Sequence, residues 1–201
     1  PFDSESIVNG TMPFTSLNVI PLKIAQGLRP GSLRSFLYNI NTARFITVLF
    51  SLLLALYVFK WSKELYGPVA GFFSLIIYAF SPNIIAHSRL VTTDLYSACM
   101  VTIACYYFRR FIKYGGWNKA AVSAFSLGLA QLAKYSCLLL YPIFALIVLV
   151  RYRNDCLLLI KGRNPKDLLR QLKIFFKFAV FFVAVGIIII NIGFLFNKSF
   201  T

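Results

Sequence analysis

Acid is scarce in this sequence and histidine nearly absent. Six Asp and Glu stand against 21 Lys and Arg in 201 residues, with one His. One histidine excludes a metal centre built on a His cluster. The four cysteines, Cys99, Cys105, Cys137 and Cys156, form neither a CxxC pair nor a zinc-ligand spacing, and they read as packing residues. Total charge is also low. At 13% charged, 59% hydrophobic and a mean hydropathy of +0.73, the chain excludes a soluble domain with a polar exterior and reads as an integral membrane protein. An initiator Met is missing ahead of Pro1, so the chain is expected to be a fragment.

What the sequence does have is uncharged apolar runs, at 45–59, 65–86, 95–108, 120–133, 135–150 and 178–196. They predict six transmembrane helices. Several are shorter than the roughly 20 residues a bilayer asks for, so snorkelling Lys and Arg or helix continued into the loops must complete them. Lys134 lies between two of the runs and marks either a turn or the middle of one long helix. Charge favours the turn. With two spans there, Lys60 and Lys63, the cluster from Arg109 to Lys119, and the cluster from Arg151 to Lys177 all fall on one side, fourteen of the 21 basic residues. That side is then cytoplasmic. The net charge of +15 follows from this orientation and from contact with anionic lipid, which removes the case for a nucleic-acid partner.

The fold class expected is therefore all-α, a polytopic transmembrane bundle of about six spans preceded by two interfacial helices on the outer face. Those two helices are read from apolar stripes at helical spacing, Leu17, Ile20, Ile24 and Leu28, then Leu33, Phe36, Leu37 and Ile40, with a turn at "RPG", 29–31. Four segments result: an outer loop at 1–42, membrane helices with catalytic-face loops at 43–150, a basic cytoplasmic loop at 151–173 carrying a short amphipathic helix, and a further span at 174–197.

An ionisable group at membrane depth costs about 2.5 to 3.5 kcal/mol even on lenient insertion scales, so each one asks for a partner or a purpose. Arg89 and Asp94 stand five positions apart in "SRLVTTD", and either pair with each other or serve as an interfacial anchor and a helix-start residue capped by Thr92 or Thr93. His87 adjoins them and, with no second histidine in the sequence, reads as a solvated interfacial group rather than a metal ligand. By the topology above, Arg44 in "NTARF" and Lys134 in "GLAQLAKYS" come to the same outer face. Three cations and an acid gathered there suit a phosphate headgroup with chemistry beside it.

The order of short motifs carries a resemblance. "AR" opens the first span, "LYG" at 65–67 the second, "SP" at 81–82 closes it, "SR" precedes Asp94 by five residues, and "GLAQLAKY" occupies 128–135. From about residue 15 to 142 the chain resembles the GT-C membrane glycosyltransferases, in the branch of the protein O-mannosyltransferases and the lipid A aminoarabinose transferase. The resemblance implies an inverting enzyme that moves a sugar from a polyprenyl-phosphate donor to a protein or lipid acceptor at the outer face. It implies catalytic roles for Asp94 and Arg44 and donor-phosphate or substrate contacts for Arg89, Lys134 and His87. It also implies a general base after a first membrane helix that this fragment lacks, and neither Asp3 nor Glu5 is assigned that role. Asp94 could instead orient the acceptor, hold a divalent metal ion, or keep the arginines in place. The location implied is a multi-pass protein of the plasma membrane in a bacterium or of the endoplasmic reticulum in a eukaryote. The competing class is a transporter, flippase or structural subunit that binds a lipid phosphate without chemistry; neither an inverted repeat nor a pair of Gly/Pro-broken spans supports it.

Overall fold

A computed structural model describes residues 40–89, 92–151 and 165–195, together with Leu17, Ile24, Gly27 and Gly31. The two expected interfacial helices, and the loop at 152–164 with Cys156, lie outside the described residues. Those described are helical throughout, with no strand among them: α1 (Ile40–Tyr66), α2 (Pro68–Ala79), α3 (Pro82–Arg89), α4 (Thr93–Tyr114), α5 (Trp117–Ala133), a 3-10 turn (Tyr135–Leu139), α6 (Leu140–Arg151) and α7 (Pro165–Leu195). This is an all-α fold of membrane type. Its arrangement follows from apolar runs that must satisfy every backbone group internally.

Among the described residues two helices are long and apolar enough to cross a membrane alone, Arg44–Tyr66 and Phe176–Gly193. The second apolar run, expected as one span over 65–86, is instead broken. Pro68–Ala79 and Pro82–Ser88 meet at 64°. Pro82 offers no N–H and pushes Ser81 out of helical geometry, so α2 ends with the Phe80 and Ser81 amides donating to Ile76 and Tyr78 carbonyls. At the other end, α7 is one continuous helix from Pro165. The boundary drawn at 173/174 therefore falls within this helix, and the part of the expected amphipathic loop before 165 lies outside the described residues.

Side-chain pairs give the helix directions. Thr47 meets Tyr96 and Tyr57 meets Tyr107, so α1 and α4 run parallel. Ser51 meets Tyr78 while Phe59 meets Phe72, so α2 returns alongside α1. Phe108 stacks on Phe144 at 3.8 Å between ring centres, where α6 runs down beside α4. Trp117 touches Phe178 and Phe181, and Gly128 faces Ile189, so α5 and α7 run together in the opposite sense. The C-terminal ends of α1, α4 and α6 thus share one face of the bundle, with Lys63, Lys113 and Arg151 in their last turns, where the helix dipole favours cations. Gly115 and Gly116, both at positive φ, make the tight reversal from α4 to α5 on that face.

The core is centred on α4, with Leu95, Tyr96, Cys99, Met100, Ile103 and Ala104 all buried. Small residues bring α5 close to its neighbours: Ala120, Ala124, Gly128 and Ala130 are buried, and a Cβ on Gly128 would run into Ile189. Some buried polar side chains pair between elements, as Gln131 Nε2 does with the Tyr141 hydroxyl at 2.7 Å and Thr47 does with Tyr96. Such bonds contribute about 0.6 kcal/mol on average between membrane helices.

Candidate active site

Opposite the basic face, the start of α4 and the end of α5 come together. Thr92 occupies the cap position of α4 in extended backbone, but its hydroxyl makes no capping bond. It lies instead 3.3 Å from Nδ1 of His87 at the end of α3. Asp94 follows in the first turn of α4, where the helix dipole favours a carboxylate. The side chain is not spent on the helix.

Its partner comes from 40 residues away. Lys134 is held in extended backbone, φ −159° and ψ 134°, between α5 and the 3-10 turn. Its amide donates to the Ala130 carbonyl, its own carbonyl accepts from Cys137, and the side chain is left to project from the break. Lys134 Nζ donates to Asp94 Oδ1 at 2.9 Å. Both side chains are about half exposed, 43% for Lys134 and 55% for Asp94, so the pair is open to a ligand and contributes little to stability. The hydrogen bond and charge of Lys134 hold the Asp94 carboxyl below the usual carboxylate range, with a smaller contribution from His87. Asp94 in turn raises the Lys134 ammonium above the usual lysine range. Each therefore keeps the other ionised.

Beneath this surface pair is a buried one. Tyr96, fully buried two residues after Asp94, hydrogen-bonds through its hydroxyl to Thr47 Oγ1 at 2.8 Å, and Phe50 packs edge-on against its ring. The contact locks the first turns of α1 to the first turns of α4. Arg44, exposed and one turn ahead of Thr47, thereby emerges at the same end of the bundle as Asp94 and Lys134. Arg89 ends α3 at this edge, three residues before the Thr92 cap. Sequence reasoning missed Thr47 and Tyr96, because a hydroxyl within an apolar run gives no sign of its partner. An apolar groove of about 300 Å³ continues from Lys134 and Ser97 down between α4 and α6, past Val101 and Ile143.

A divalent ion at Asp94 needs several oxygen ligands. Among the described residues no group of three His, Cys, Asp or Glu comes together, and the carboxylate faces an ammonium. What the arrangement can do is hold a phosphate against cations with a carboxylate beside it.

Residues 32–162 match the family model described as dolichyl-phosphate-mannose-protein mannosyltransferase. No curated protein and no solved structure matches the chain. With most of its helical bundle inside that match, the chain belongs to the dolichyl-phosphate-mannose-protein mannosyltransferase family, membrane glycosyltransferases of the GT-C type.

Proposed function

We propose that the full protein transfers a sugar, with inversion, from a polyprenyl-phosphate donor to a protein or lipid acceptor at the outer membrane face, and that the Asp94–Lys134 end of the bundle is one wall of the reaction site. The observation that carries this reading is the exposed 2.9 Å pair between Asp94 and Lys134, set at the end of the bundle where Arg44 lies in the opening turns of α1 and α3 finishes at Arg89. In the reaction the bond from the anomeric carbon to the carrier phosphate breaks, and the acceptor oxygen bonds to that carbon. The leaving phosphate gains negative charge, which fixed cations stabilise most in the transition state. Lys134, Arg89 and Arg44 supply those cations. Asp94 keeps Lys134 charged and aimed before the donor arrives, and is then free to orient the acceptor hydroxyl. His87, bonded to the Thr92 hydroxyl at the start of α4, completes the substrate edge.

The acceptor proton needs a base, and a positioned one contributes typically ~10² to 10⁴ in rate. Asp94 is not given that role.

The experiment is sugar release from a radiolabelled polyprenyl-phosphate sugar in membranes carrying the full-length protein. Cleavage of the donor is expected. Movement of intact lipid across the bilayer without cleavage would replace the enzyme reading with a transporter.

A further inference from the structure

The opposite, basic face has a cavity of its own. Where the parallel helices α1, α4 and α6 end, a groove of about 490 Å³ opens between them. Trp61, Phe108 and Phe144 form its apolar wall, and Arg109, Lys113 and Arg151 stand on its lining. Arg109 reaches Glu64 on α1 at 3.4 Å, so one of the lining cations is held in an ion pair at the groove's edge. The reaction proposed above uses none of these groups. They lie at the other ends of the same helices.

We infer that this groove binds an anionic phospholipid from the leaflet on the basic side, its phosphate among Lys113, Arg151 and Arg109 and its chains along Phe108 and Phe144. Charge complementarity and the apolar wall select the occupant. A basic pocket between membrane helices at the headgroup level recognises negative lipid, whereas a free phosphate has no use for the aromatic wall. The lipid would bridge the ends of three helices on the face away from the chemistry.

The test uses intrinsic fluorescence. This sequence has two tryptophans, Trp61 and Trp117, so Trp117→Phe, with any tryptophan of the full-length protein outside this sequence likewise replaced by phenylalanine, leaves Trp61 as the sole emitter on the groove wall. This variant is reconstituted in phosphatidylcholine vesicles containing either brominated phosphatidylglycerol or brominated phosphatidylcholine. Phosphatidylglycerol is expected to quench with at least about ten-fold preference. Lys113→Gln should lower that preference about five-fold, the factor one basic group near an anionic surface contributes, and adding Arg151→Gln should bring it to parity. Lys119→Gln with Lys177→Gln removes two cations of the same face that do not line the groove, and should leave the preference intact. Equal quenching by the two lipids in the starting variant overturns the inference. So does an equal loss in the two double variants, which marks diffuse attraction to a basic surface. Should the groove double variant fail to insert, Lys113→Gln alone decides, and an unchanged preference there counts against the site.

Discussion

Asp94 and Lys134 are separated by 40 residues and joined by one hydrogen bond, and their ionisation is coupled. Because Lys134 depresses the Asp94 carboxyl, the charged pair is fully present above the usual carboxylate range and is lost only as pH falls through the lowered value. Removing Lys134 removes the first cause of that depression. The acid limb of sugar transfer in Lys134→Ala should therefore move to higher pH than in the wild type, and its donor requirement should rise as a phosphate contact is lost. A pH–rate profile taken at saturating and limiting donor checks both. A wild-type acid limb and donor requirement in the variant would make Lys134 a snorkelling anchor. At this scale the sequence singled out Asp94 and Lys134 but not the contact between them. Arg89, five positions away, was the neighbour visible in the chain, while the one found in space arrives from the break between two helices, and no local pattern reports such a distance.

Among the elements, apolar runs located the helices, and the charge on either side of Lys134 located the break between α5 and the turn that follows. Ends were less legible. The run beginning at 45 becomes a helix from Ile40 to Tyr66, because backbone hydrogen bonding continues through polar residues once the helix is formed. The bend at Ser81-Pro82 was written in the proline, although hydropathy alone runs across it. The packing of α7 on α5 was not legible at all, since it depends on which glycines face which side chains. Gly128 is such a contact: a side chain there meets Ile189. Gly128→Val is expected to destabilise the bundle by about 1 to 3 kcal/mol through overpacking, read as a lower thermal unfolding midpoint in detergent. Ala121→Val, on the exposed side of the same helix, should leave that midpoint nearly unchanged.

Taken whole, the bundle has two ends of different chemistry. One carries an acid, a lysine and two arginines at helix ends that the Thr47–Tyr96 bond helps to fix. The other carries a grooved cluster of cations at the C-termini of three parallel helices. This division was largely readable from the asymmetric placement of Lys and Arg, whereas the groove was not, because it exists only where α1, α4 and α6 meet. The family match covers the helices that build both ends. The central claim is that the Asp94 end is a glycosyl-transfer site, and the most direct measurement is the rate of transfer from a polyprenyl-phosphate sugar by full-length Asp94→Asn, with membrane insertion verified in parallel. The account predicts a fall of at least about ten-fold in an inserted protein, within the range that mutating a positioned catalytic group produces. An unchanged rate would contradict it and leave Asp94 as a residue that begins a helix.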